Sequence, residues 1–515
     1  MSLVKSFGCA VYGISATTVT VEVNIDVGIN FHMVGLPDSA VKESQQRIDA
    51  ALKNNGFKIP GRKITVNLAP ADIRKEGSAY DLPIAMGILC ASGQLDTDEL
   101  AHYIIMGELS LDGILRPVRG ALPMAIHAKN SGFKGLILPS ENAKEAAVVE
   151  GVDVYSMGHI SEVIGFFTGK IVNPPVKIDL AAEFSKTGTS FEVDFSDVKG
   201  QENIKRALEI AASGGHNILM VGPPGAGKTM LAKRLSGILP PMTLEESLET
   251  TKIHSVAGKT VKNTGLITMR PFRAPHHTIS DVALVGGGTN PQPGEISLAH
   301  NGVLFLDELP EYKRSVLEVM RQPLEDRIVT ISRAKFTVAY PAGFMLVTSM
   351  NPCPCGYYNH PEKECVCPPG GVQKYLNRLS GPLLDRIDIH IEVTPVGFNE
   401  LTDRKPAESS ASVRERVVKA RLIQLKRFAG MEGMYCNAQM NASLLREVCC
   451  IDVAGQELLK TAMAKLGLSA RAYDRILKVA RTIADLDESA KIESQHLAEA
   501  IQYRSLDREN WATGI

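Results

Sequence analysis

At 515 residues and 55.7 kDa the chain has room for about three domains. With 44% hydrophobic and 22% charged residues it can build several packed cores, which excludes a collagen-like, coiled-coil or wholly disordered architecture. Fifty-six basic side chains against 57 acidic ones leave a net charge of −1, so any nucleic-acid contact has to use local basic patches.

Residues 1–185 mix strand-like and helical stretches. The opening 1–23 lacks the leucine-rich centre of a secretion signal, and Thr17–Val23 alternates within an expected strand, Thr17–Val27. Lys63–Leu68 and Gly135–Leu138 read as further strands, and Ser39–Asn54 as an amphipathic helix. Asn173-Pro174-Pro175 and the polar run 185–190 mark a linker. Residues 186–395 alternate apolar strands with helices, the pattern of a parallel sheet. Residues 396–515 read as helical, most clearly at Ser412–Phe428, Leu458–Ala464 and Ala470–Leu486. No run is long and apolar enough for a membrane span. The nine cysteines suit a reducing cytoplasm better than a disulfide framework.

The middle third carries the chemistry. Gly222-Pro223-Pro224-Gly225-Ala226-Gly227-Lys228-Thr229 fits G-x-x-x-x-G-K-T, follows the apolar strand Asn217–Val221 and opens the helix Met230–Leu239. Glycines there let backbone N–H groups turn toward phosphates, and the helix N-terminus adds positive potential. Lys228 then reaches the terminal phosphates, and the Thr229 hydroxyl ligates Mg²⁺. A second apolar strand, Val303–Leu306, ends in two acids. Asp307 is placed to hold Mg²⁺ through water, and Glu308 to orient or deprotonate the attacking water. A third, Phe344–Thr348, leads to Asn351, whose amide is placed to sense the terminal phosphate. Next come Cys353, Cys355, Cys365 and Cys367, two C-x-C pairs in a loop rich in proline and glycine. Four thiolates suit a structural tetrahedral Zn²⁺ site, with His360 a spare ligand; a reduced, metal-free loop is the rival reading.

Together these stretches resemble an AAA+ ATPase. Asp197-Val198-Lys199-Gly200-Gln201 resembles that family's adenine-side box, which implies Val198, Gly200 and Gln201 beside the nucleotide. Arg386 resembles the arginine that reaches a neighbour's nucleotide, with Arg378 the alternative, and Arg471 resembles the second sensor. A finger supplied by the next subunit makes hydrolysis depend on a ring. The insertion 254–300 contains Arg270-Pro-Phe-Arg273-Ala-Pro-His276-His277-Thr278-Ile-Ser280 and Gly286-Gly-Gly288. With the hairpin 327–342 and the run Met350–Gly356, it resembles the magnesium-chelatase-like AAA+ group, in its YifB/ComM branch. The resemblance implies ATP and Mg²⁺ as cofactors, a hexameric ring, single-stranded or branched DNA as partner, and helicase or branch-migration activity. The alternative is a motor that remodels a partner protein, as the chelatase subunit does.

Met106–Gly120 and Leu136–Asn142 resemble the Lon protease domain. The implied fold class is therefore α/β: a Lon-like α+β domain at 1–185, a P-loop parallel-sheet core at 186–395 and a helical lid at 396–515. Lon proteases need a nucleophilic serine and a lysine base. Ala79 stands where the serine would be, Leu122 where the lysine would be, and Ser78, one position off, has no evident partner in the sequence. A fold without protease chemistry is expected. For gripping DNA phosphates, Arg333 and Lys335 near the hairpin tip lead, with Arg270 and Arg273 behind them. His276 and His277 read as hydrogen-bonding supports, and the basic stretch Val413–Arg427 as a solvated helix face.

Overall fold

The computed structural model describes residues 3–185, 193–260, 264–288, 291–333, 336–360, 362–396, 407–431 and 433–504. Among these, no helix is long and apolar enough to cross a membrane.

The amino-terminal part is one seven-stranded sheet. Its order is Phe31–Val34, Lys63–Ala69, Ser15–Asp26, Leu3–Tyr12, Tyr103–Ile105, Gly135–Pro139 and Asp153–Met157. The two longest strands pair antiparallel and turn on Gly13-Ile14, where Gly13 takes φ 61°, a value that costs glycine nothing. In Ser15–Asp26 the alternate residues Val19, Val21 and Val23 are fully buried. They lie beneath the helix Asp81–Ala91, which has almost no exposed face and so reads as uniformly apolar. The expected helix 39–54 is interrupted at Glu43, giving Ser39–Lys42 and Ser44–Asn54; Asp38 caps the first by accepting from the Val41 N–H at 2.8 Å.

The central part is a five-stranded, all-parallel sheet in the order Phe272–Arg273, Val303–Leu306, Met345–Met350, Ile218–Val221, Ile389–Glu392. The three inner strands are buried throughout, which is why each reads as a continuous run without alternation. Because Met345–Met350 lies between the phosphate-loop strand and the acidic strand, Val221 faces Met350 and Leu306 faces Thr348 at one edge. Segment 254–300 is more than an appended loop, since it supplies the edge strand Phe272–Arg273. Ile328–Arg333 and Phe336–Pro341 form an antiparallel hairpin beside the sheet.

The carboxy-terminal helices Ser410–Arg427, Val453–Leu466, Ala470–Leu486 and Ser494–Gln502 share a core with one face of this sheet. Ala472, Ile476, Val479, Ala480 and Ile483 form the buried stripe of the third. The basic helix Ser410–Arg427 is not a solvated face. Arg421 donates to Ala212 O at 2.9 Å and Ser213 O at 3.0 Å, the last carbonyls of the helix Glu202–Gly214, where a cation is favoured. Arg427 donates to Asp485 at 2.8 and 2.5 Å, and Arg416 bridges Glu209 and Glu408.

The two sheets meet through the helix Leu244–Val256. Gly120 N–H donates to Ser255 O at 3.1 Å. Glu145, 3% exposed, accepts from the Leu122 N–H at 3.0 Å within its own domain. It also accepts from Thr260 Oγ1 at 3.1 Å and from Ser255 Oγ across the boundary.

Candidate nucleotide site

The carboxyl ends of the three inner strands converge on one polar cluster, the position where parallel α/β sheets bind ligands. The loop Gly222–Thr229 leaves Val221 and closes on Gly227, whose φ of 87° caps the helix Lys228–Ile238. Lys228 is 8% exposed. Its ammonium donates to Gly222 O at 2.7 Å, Pro223 O at 2.9 Å and Asn351 Oδ1 at 3.1 Å. All three acceptors are neutral oxygens. Burial lowers the lysine's pKa, and the charges of Asp307 and Glu308 offset this only in part. A buried cation whose direct partners are all uncharged, beside a glycine loop and a helix N-terminus, fits an incoming phosphate.

Thr229 Oγ1 donates to Asp307 Oδ2 at 2.7 Å, which brings together the two side chains expected at Mg²⁺. Asp307 Oδ1 accepts from Ser349 Oγ. Glu308 follows in a left-handed conformation, φ 53°, with its side chain 57% exposed and 3.6 Å from His277 Nδ1.

The segment expected on the adenine side is tied to the glycine loop. Gln201, at φ 57°, donates through Nε2 to Ala226 O at 3.1 Å and Thr394 O at 3.0 Å; Gly200 also takes a positive φ, and Val198 is buried. Arg234, on the phosphate-loop helix, donates to Asp194 O at 2.7 Å and Asp197 at 2.9 Å.

The four loop cysteines lie together. Cys353 Sγ is 3.3 Å from Cys355 Sγ and 3.7 Å from Cys365 Sγ, the latter two are 3.6 Å apart, and all four sulfurs, Cys367 included, lie within 4.8 Å of one another. Tetrahedral thiolates at about 2.3 Å from zinc stand roughly 3.8 Å apart, so the donor set is compatible with a structural zinc. The cysteine loop also abuts the nucleotide loop. Gly356, at φ 84°, packs so closely on Pro224 that a Cβ there would come within 2.4 Å of Pro224 Cδ.

The arginines are where the structure departs most from the sequence reading. Arg270 is not available to a DNA backbone: it donates to Pro240 O at 2.7 Å, Asn301 O at 2.7 Å and both oxygens of Glu246 at 2.9 Å, with its side chain 11% exposed. Arg273 forms a bidentate pair with Glu295 at 2.6 and 2.7 Å. Both staple the insertion, because guanidinium forks bind the nearest carboxylates that the fold brings up. Arg333 ends the first hairpin strand, and Lys335 lies outside the described residues. Arg386 is buried, donating to Pro382 O at 2.5 Å and pairing with Glu325 at 2.5 Å. Arg378 is 52% exposed and pairs with Glu311 at 3.0 Å. Arg471 is exposed in the first turn of Ala470–Leu486. Arg475, one turn on, is the residue tied to the core, 3.0 Å from buried Asp388. Burial alone would raise the Asp388 pKa. Arg475, His216 and the Asn217 N–H outweigh that and hold it well below the usual carboxylate range.

Ser349 and Arg475 were missed in the sequence. The available signal for the first was a polar pair, Thr348-Ser349, inside an otherwise apolar buried strand. For the second there was none, since its partner is 87 positions away by number (475 − 388).

In the amino-terminal sheet, Ala79 lies in the short turn Ser78–Tyr80 and Leu122 is fully buried in the helix Ala121–Asn130. Ser78, which had no evident partner in the sequence, donates to Glu108, thirty residues away.

Residues 194–401 match the family described as magnesium chelatase, subunit ChlI; 21–142 match subunit ChlI of Mg-chelatase, and 407–504 its C-terminal region. The chain is 47% identical over 516 residues to the competence protein ComM of Haemophilus influenzae, covering 99% of this chain and 98% of that protein. It is 45% identical over 504 residues to YifB of Escherichia coli, covering 97% and 96%. Shorter likenesses join 140 residues to Lon protease 2 of Bacillus subtilis (29% identity, 27% and 24% covered). Another 248 residues resemble the DNA replication licensing factor mcm7 of Schizosaccharomyces pombe (26% identity, 44% and 30% covered). With a phosphate loop on a parallel sheet and family likeness running nearly end to end, this chain belongs to the magnesium-chelatase-like AAA+ family, in its ComM/YifB branch.

Proposed function

We propose that the chain is an Mg²⁺-dependent ATPase motor that works as a ring, a hexameric helicase or branch-migration factor acting on single-stranded or branched DNA. The observation that carries the ATPase reading is the convergence of Lys228, Thr229, Asp307 and Asn351 on one sheet edge. Mg²⁺, held by Thr229 and through water by Asp307, would neutralise charge developing on the transferring phosphoryl group. Lys228 exchanges its neutral carbonyl partners for phosphate oxygens, Asn351 orients the attacking water, and the Glu308 carboxylate takes that water's proton. The neighbour's finger is Arg386, which has to leave Glu325 on assembly, with the exposed Arg378 as its competitor. Arg471 reports the lid's position. Cys353, Cys355, Cys365 and Cys367 would hold a structural Zn²⁺, and their loop supports the phosphate loop through the Gly356–Pro224 contact.

DNA as the track is supported by the relatives named for competence and for DNA replication licensing. The hairpin Ile328–Pro341 carries Arg333 and Lys335, the remaining candidates for gripping phosphates. The amino-terminal domain lacks protease chemistry, since Ala79 and Leu122 hold no nucleophile or base. The second reading, a motor that remodels a partner protein, is favoured by the chelatase-subunit family match. Phosphate release with and without four-way or forked DNA separates the two. Stimulation by DNA, with a salt slope that falls when Arg333 and Lys335 are reversed in charge, supports the DNA motor; indifference to every DNA supports the remodeller.

A further inference from the structure

The strands Ile218–Val221, Val303–Leu306 and Met345–Met350 present their carboxyl ends to the nucleotide loop, and a separate cavity of about 70 Å³ lies at their amino ends. Met345, the first residue of its strand, lines it with Gly302 and Gly215, which lie just ahead of the other two. Side chains from three distant stretches complete the wall. Arg270 and Glu246 come from either side of residue 260, Arg327 from the root of the hairpin Ile328–Pro341, and Arg421 and Cys436 from the carboxy-terminal region. Three guanidiniums and one carboxylate therefore share a single space.

The charges do not cancel. Glu246 is committed to Arg270, which reaches its two oxygens at 2.9 Å each. Arg421, 8% exposed, donates to the Ala212 and Ser213 carbonyls, and Arg327 donates to Ala438 O at 3.3 Å. Among the described residues, neither of these two guanidiniums meets a carboxylate directly. Glu246 and Asp388 act on them only from further off, and Asp388 already has Arg475 at 3.0 Å. Burial lowers the pKa of both, yet arginine stays protonated at any ordinary pH, so they persist as poorly hydrated cations without counter-ions. The backbone points the same way. Arg327 closes the helix Arg321–Asp326 at φ 57°, the left-handed conformation that helix ends usually give to glycine. A residue with a Cβ held there under strain is a pointer to function.

We propose that this cavity binds a free tetrahedral oxyanion, inorganic phosphate, between Arg327 and Arg421. At roughly 10–15 Å³ for each water-sized sphere, the space takes a five-atom ion and has no room for the sugar of a nucleotide. Guanidinium forks match pairs of phosphate oxygens, and the ion would supply the negative charge that Glu246 cannot. Bridging Arg421 to Arg327, it ties the carboxy-terminal helices to the root of the hairpin. The site lies at the opposite ends of the strands from Lys228 and does not depend on ATP hydrolysis.

Every arm of the test uses the full chain carrying Lys228→Ala, so that the phosphate loop does not contribute. Thermal unfolding is followed as inorganic phosphate replaces chloride at constant ionic strength. The midpoint is expected to climb by about 3 °C and to level off, the shape of a saturable site. Arg327→Asn, whose side chain tolerates the left-handed backbone, should abolish that rise. It should leave the midpoint in chloride the same or higher, because it takes away an unpaired cation. Arg327→Lys should keep part of the rise, and phenyl phosphate, too large for the cavity, should give none. A rise that never levels off, or that persists in Arg327→Asn, is the general effect of an excluded salt and overturns the proposal, as does a midpoint indifferent to phosphate. An equal response to phenyl phosphate overturns the free-ion assignment. Isothermal titration gives a second reading, with one phosphate site per chain in the Lys228→Ala background and none once Arg421→Gln is added. A site that survives Arg421→Gln also overturns the assignment.

Discussion

Two sheet edges in this chain begin from similar local ingredients and end differently. At the edge of the central sheet, a glycine turn presents Lys228 to three neutral oxygens, one of them Asn351 Oδ1, while Thr229 and Ser349 both donate to Asp307. In the amino-terminal domain, Gly77 at φ 79° leads into Ser78, and buried Lys75 lies just before it. There the ammonium is capped by Ile73 O at 2.7 Å and by Pro70 O, Ser78 goes to Glu108, and Asp81 is locked to Arg47 at 2.7 and 2.9 Å. Burial pushes the Asp81 carboxyl up to about 6 in spite of Arg47. Both ammoniums rest on neutral oxygens, but the helix that Lys228 opens has no acid in its first turn, whereas the helix after Ser78 opens on Asp81. The difference shows that a glycine turn with a lysine becomes an anion site only where the helix N-terminus beside it is not already taken by an acid.

The contrast is open to direct attack. Lys228→Ala is expected to weaken ATP binding on the order of 100-fold, about 2.7 kcal/mol, whereas Lys75→Met should leave ATP affinity unchanged. Isothermal titration of both variants decides it, and equal losses would erase the distinction. The next largest effect concerns how the core is fastened to the helices. Asp388→Asn should cost about 3 kcal/mol at pH 7, because it removes the buried counter-ion of the half-buried Arg475. The native carboxyl is depressed, so its contribution is present above about pH 4 and is lost as pH falls through its folded value. Urea melts of the variant should therefore converge on the parent in acid.

At the boundary between the regions the sign reverses. Burial raises the Glu145 pKa, and Ser255, the Leu122 N–H and Thr260 only partly offset it. Its contribution to docking is thus complete below about pH 4.3 and lost as pH rises through the folded value. Glu145→Gln should flatten that dependence, so that its docking relative to the parent improves by about 1 kcal/mol between pH 5 and pH 8, as read by limited proteolysis of the 145–260 contact. The smallest effect belongs to Ser78→Ala: ATP turnover and peptide hydrolysis should both be unchanged, and loss of a peptidase activity would reopen the amino-terminal domain as an enzyme.

The strands Val303–Leu306 and Met345–Met350 were legible because fully buried parallel strands must be continuous apolar runs, and the turns after them because glycine and acidic residues mark strand ends. The long helix Ala470–Leu486 was legible from its spacing. The segment 254–300 was read as an insertion, yet two of its residues complete the sheet, a pairing too short to leave a pattern. The basic helix was misread because charge counts do not say which way a guanidinium turns: Arg421 and Arg427 turn inward, to helix-end carbonyls and to Asp485.

The amino-acid order alone determined the phosphate loop, the acidic strand end and the cysteine pairs, since each is written within a few consecutive residues whose backbone demands are local. Only the tertiary structure decided that Arg270 and Arg273 are staples, that Arg386 lies against Glu325, and that Ser349 and His277 reach the two acids. Those are contacts between long or polar side chains and distant carboxylates or carbonyls, and the fold alone sets which of the many available partners comes within bonding distance.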